Sequence, residues 1–84
     1  MYDRGRYGAA ADIGLELLAA RPDQPYLYYN VACCESLSGR TAGAVEHLHR
    51  AIEMWEGCRE LAKNDSNFDP MRADPSFAAL VAGG

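Results

Sequence analysis

Apolar residues along this chain recur at helical spacing in successive stretches separated by turn-forming residues. Ala10, Ile13, Leu17 and Leu18 fall on one stripe, which predicts a helix from about Tyr7 to Ala20. Arg21-Pro22-Asp23 ends it, because the residue before a proline is pushed out of the α region. Gly8 and Gly14 each weaken this helix by roughly 1 kcal/mol relative to alanine, so packing against a neighbour must hold it. A second helix is predicted from Pro25, suited to the first helical turn, to Ser38-Gly39, with Leu27, Tyr28, Val31, Ala32 and Cys34 as its apolar face. Thr41 is suited to cap a third helix, whose stripe is Ala44, Leu48, Ala51, Ile52 and Trp55. The second and third helices are expected to pack antiparallel through Tyr28, Val31, Ala32, Leu48 and Ala51, with Trp55 in the core. Cys58, Leu61 and Ala62 predict a fourth helix stopping near Asn64, followed by the turn cluster Asn64 to Asn67. Asp74 caps a last short helix with Pro75 at its first position.

A longer regularity overlies these helices. Gly5-Arg6-Tyr7 recurs thirty-four residues on as Gly39-Arg40-Thr41, and the same offset pairs Ala10 with Ala44, Leu17 with Ala51 and Leu18 with Ile52. Such a period is the mark of a helical repeat.

The residues within one period resemble the tetratricopeptide repeat. Tyr28-Tyr29-Asn30-Val31-Ala32 is similar to the opening of that family's first helix, Gly39-Arg40 to its turn, and Ala44, Leu48 and Ala51 to the small, bulky and small positions of its second helix. The resemblance implies an all-α fold of antiparallel helical hairpins, a fragment of a right-handed solenoid. Residues 1–24 would be the back half of a preceding repeat, 25–58 one complete repeat, and 59–84 a terminal cap. Arg59 to Leu80 also resembles the stretch after the last repeat in some bacterial members, and Phe68, Met71, Phe77 and Leu80 would cover the open end. Two positions depart from the pattern. Glu35 stands where the family often has tyrosine, and Glu56 where it often has proline, which implies that the helix after Trp55 starts without a clean break.

The function implied by the resemblance is protein–protein interaction, with an unidentified protein or peptide held in a concave groove. Tyr26, Tyr29, Cys33, Ser36 and Leu37 take the groove-lining places. The alternative for these side chains is that they only close helix packing. Tyr29 and Cys33 stand where a clamp for a terminal carboxylate would need lysine and asparagine, which disfavours that subclass. A structural or regulatory C-terminal module of a larger enzyme is a second reading, and a thiol or metal-binding protein a third.

Composition narrows these readings. Hydrophobic residues make up 49% of the 84 and charged ones 24%, which suits one small folded domain. The net charge of −4 arises from 12 acids and 8 bases scattered along the chain, so no basic stripe exists for nucleic acid. Neither a membrane-spanning apolar run nor a signal-like leader is found, and a cytoplasmic location is expected by default. Cys33 and Cys34 are adjacent and diverge on a helix, so three free thiols in a reducing compartment are expected with Cys58. His47 and His49 point to nearly opposite sides of theirs and cannot share a metal without distortion, which leaves them as surface histidines. No cofactor is implied and no enzyme motif is found. Met1, Tyr2 and Tyr7 beside the first helix leave an apolar edge, and an array of repeats usually needs about three units. The chain is therefore expected to form a homodimer through the first helix, or to be the end of a longer protein.

Overall fold

The computed structural model describes residues 4–82, so Met1 and Tyr2 of the expected N-terminal edge lie outside the described residues. Five α-helices follow in order: α1 (Arg4–Ala20), α2 (Pro25–Ser38), α3 (Thr41–Met54), α4 (Gly57–Asn64) and α5 (Pro75–Val81). A 3₁₀ helix, Ser66–Met71, lies between α4 and α5. No strand occurs among the described residues. The fold is all-α.

Local chemistry accounts for most of the boundaries. Pro25 occupies the first turn of α2. At its other end Gly39 adopts φ 89°, a left-handed conformation that costs glycine little. Its amide and that of Arg40 then donate to the carbonyls of Ser36 and Glu35, at 3.2 and 2.8 Å, and the chain reverses within two residues. Because Gly39 has already turned the chain, Arg40 takes the cap position of α3 without a side-chain bond, and Thr41 is the first helical residue rather than the cap. Asp74 caps α5 as expected, accepting from the amides of Ser76 and Phe77 at 2.9 and 3.1 Å.

Helices α2 and α3 run antiparallel: Glu35 near the end of α2 meets Gly43 and His47 of α3, and Tyr28, two turns earlier, still stacks on His47. Ala32, Ala44, Leu48, Ala51 and Ile52 form the seam, continuous with Cys58, Ala62, Phe68, Met71 and Phe77 in one core. Phe68 and Phe77 stack with centroids 5.4 Å apart, so the C-terminal segment is core and not a removable cover. Val31 departs from expectation. It joins Leu18 and Leu27 in a separate cluster on the α1 side of α2.

The rotation of α1 also differs from the one predicted. Ala11 and Leu18 are buried, whereas Ile13 is 60% exposed and Leu17 49%. Large side chains suggested the face, but small ones set it. A Cβ on Gly14 would come within 2.5 Å of Val31 Cγ2, so α1 approaches α2 through a residue that has no side chain. The closest backbone approach turns Ile13 and Leu17 outward. α1 begins at Arg4, three residues before the expected start.

Trp55 is not core. It leaves the helix in an extended conformation (φ −147°, ψ 106°), which swings the indole off the α3 stripe and over Gly57, leaving it 54% exposed. This extended residue also makes the break between α3 and α4 a clean one, despite the absence of a proline at Glu56.

Candidate functional site

The five groove candidates on α2 have three different surroundings. Tyr26, at the start of the helix, is 55% exposed, and Leu37 is half-buried near its end. Tyr29, Cys33 and Ser36 lie on the side covered by the 3₁₀ helix of the same chain. Ser36 is buried and its hydroxyl donates to the carbonyl of Asn67 at 2.8 Å. Cys33 is buried with its sulfur 3.9 Å from Asp65 Oδ2. The Tyr29 hydroxyl donates to the same oxygen at 2.7 Å, and its ring meets Phe68 edge-on at 5.7 Å. Cys33 and Ser36 therefore close the packing of the 3₁₀ helix and the residue before it onto α2.

Asp65 is the hinge of this arrangement. Its Oδ1 accepts from the Asn67 amide at 2.9 Å, which starts the 3₁₀ helix. Its carbonyl accepts from Arg72 Nη2 at 2.6 Å, while Arg72 Nη1 reaches the Lys63 carbonyl at 3.0 Å and Nε the Asp69 carboxylate at 2.7 Å. One guanidinium thereby ties the end of α4 to the 3₁₀ helix, and it sits 5.9 Å from the centre of the Phe77 ring.

Beside Tyr29 a cleft of about 420 Å³ remains open between α2 and α4, lined by Tyr29, Glu60, Leu61, Asn64 and Asp65. Of these residues only Tyr29 was indicated by the sequence as a site residue. The others follow the end of the repeat period, where the one available signal was the helical spacing of Cys58, Leu61 and Ala62. Leu61 is the member of that set that points outward. Burial and the bond to Asp65 hold the Tyr29 hydroxyl well above its ordinary pKa, so it remains a donor. Among the described residues the ion pairs are Arg40–Asp12, His47–Glu35, Arg59–Glu56, Lys63–Glu60 and Arg72–Asp69, and none includes Asp65.

The remaining chemistry-bearing side chains are dispersed. The three cysteines are unpaired. Burial, with the Asp65 charge second, pushes the Cys33 thiol up to about 12, and burial also raises Cys34 and Cys58. His49 is exposed, but His47 is no plain surface histidine: its Nδ1 lies 2.6 Å from the buried Glu35 carboxylate. Among the described residues no group of three or more His, Cys, Asp or Glu side chains could hold a metal ion, and no helix is long and apolar enough to cross a membrane. No family model, curated protein or solved structure matches the chain.

Proposed function

We propose that this chain is a protein–protein interaction module that holds a segment of a partner protein in the cleft between α2 and α4. The observation that carries this reading is the cleft itself, where an outward-facing leucine, Leu61, stands beside the Tyr29 ring, with hydrogen-bonding groups from Asn64, Asp65 and Glu60 around them. Apolar contacts edged by a few polar groups are how a binding site gains affinity and orientation together. The exposed Tyr26, one turn before Tyr29 on α2, extends the same side of the helix. The resemblance to tetratricopeptide hairpins supports the same class of function. In that reading α1 to α3 are the end of a right-handed solenoid and the remaining helices its cap. Three free thiols and the acidic balance fit a cytoplasmic protein whose partners are proteins rather than nucleic acid.

The test is a cross-linking capture with the intact protein, comparing the parent with a Tyr26→Ser, Leu61→Ser variant. Both side chains are exposed, so helicity should be retained while cross-links from the cleft to the partner disappear. Equal cross-linking by the variant would remove the cleft from the interaction.

A second reading, self-association, is favoured by α1. Ile13 and Leu17 lie one turn apart and exposed on a helix whose opposite side packs on α2. An isologous contact between two copies of that face would cover them.

A further inference from the structure

Resting on the reading of the α2–α4 cleft as the docking site, we propose that its occupant is a cationic peptide segment of a partner protein, carrying a lysine or arginine next to an apolar side chain. The Asp65 carboxylate lies half-buried in the cleft wall and is held by three neutral donors, the Tyr29 hydroxyl, the Asn67 amide and, more distantly, the Cys33 thiol. Those bonds orient it without an ion-pair partner, since none of the ion pairs among the described residues includes it and the nearby Arg72 guanidinium is engaged by the Asp65 carbonyl instead of the carboxylate.

Glu60 lines the same cleft and contributes a second carboxylate. Its one ion pair among the described residues is a 3.4 Å contact to Lys63, with the Glu60 side chain largely and that of Lys63 partly in solvent. Exchanging so loose a contact for another cation costs little. Leu61 and the Tyr29 ring then provide what a long basic side chain needs besides charge: an apolar surface for its methylene stem and an aromatic face for its cationic head.

The same features exclude the other occupants. An acidic segment would bring like charges against Asp65 and Glu60 on a chain of net charge −4, and phosphate-rich ligands fail for the same reason. A bare metal ion would find too few ligands, because no described group of three or more suitable side chains gathers there.

The experiment titrates the isotope-labelled full chain with lysine, glutamine and glutamate versions of one leucine-containing peptide, followed by amide shifts at Tyr29, Leu61, Asn64 and Asp65. The lysine version should bind about fivefold more tightly than the glutamine version at low salt, the factor that corresponds to an exposed ion pair of ~1 kcal/mol, and high salt should erase the difference. Glu60→Gln should narrow the difference while the cleft amides still shift. Equal binding of the lysine and glutamine versions at these amides would overturn the cationic assignment and leave the docking site standing, as would tightest binding of the glutamate version. If no version moves these amides, both readings fall.

Discussion

The carboxylate of Glu35, only 5% exposed, accepts a hydrogen bond from His47 Nδ1 at 2.6 Å. The carbonyl of Gly43 lies 2.9 Å from the same nitrogen, and because a carboxylate and a carbonyl both accept, the geometry assigns the hydrogen to Nδ1. The other Glu35 oxygen occupies the space above Gly43 where a Cβ would stand, and Tyr28 stacks on the imidazole with centroids 6.4 Å apart. A carboxylate, an imidazole and a glycine thus pack together between α2 and α3.

The energetic signature of this set follows from the asymmetry between losing one partner and losing both. His47→Leu leaves the Glu35 carboxylate buried without its donor and should cost about 3 kcal/mol in urea denaturation. Glu35→Leu combined with His47→Leu removes both polar groups and should recover most of that loss. A single variant as stable as the parent would show that the bond contributes nothing to the hairpin.

Three helical glycines should respond in opposite directions to alanine. At Gly14 a Cβ meets Val31 Cγ2, and at Gly43 it meets the Glu35 carboxylate, so both substitutions should lower stability by about 1–3 kcal/mol despite the better helix propensity of alanine. At Gly8 the nearest atom is Arg40 Nη2 at 3.3 Å, the end of a flexible side chain, and alanine there should add up to about 1 kcal/mol. Thermal melts rank the four proteins. Gly14→Ala melting above the parent would contradict the close approach of α1 to α2.

Alkaline pH should destabilise the fold before any arginine titrates. The Cys33 thiol is raised from 9.0 to about 12 in the native state, so above pH 9 the unfolded chain releases this proton while the folded one keeps it. The unfolded state then binds fewer protons, and stability falls as pH rises between about 9 and 12. The slope from this group is about 1.4 kcal/mol per pH unit. Tyr29, also raised, acts in the same direction at higher pH. Cys33→Ala should make the fall of the urea midpoint between pH 8.5 and 10.5 shallower, the remainder coming from Cys34 and Cys58, which burial also raises, and an unchanged slope would mean that Cys33 ionises equally in both states.

Self-association through α1 is expected to be concentration-dependent, since a single helix seam lies at the small end of stable interfaces. Light scattering on a size-exclusion column should show dimer mass at high protein concentration, shifting to monomer on dilution. Leu17→Glu, on the exposed face, should give monomer throughout with unchanged helicity. A parent that stays monomeric at high concentration would show that the Ile13 and Leu17 face is not used between copies.

Helix boundaries were legible in the chain, apart from the start of α1 and the cap of α3, because they depend on interactions a few residues long. Pro25 at a first turn, Gly39 in the left-handed region and Asp74 capping two amides need nothing beyond their neighbours. The apolar identity of the C-terminal segment was legible too, since Phe68, Met71 and Phe77 have no other means of leaving water. Which face each helix buries was decided only in three dimensions. Gly14 draws α1 against Val31 and turns Ile13 out, and one extended residue takes Trp55 off its stripe. Of the candidate site, Tyr29 was indicated only through the resemblance to tetratricopeptide repeats; Glu60, Leu61, Asn64 and Asp65 reach it from thirty or more residues away. Periodicity reports spacing along a helix, whereas the Tyr29–Asp65 bond and the cleft beside it exist only once α4 and the 3₁₀ helix have packed on α2.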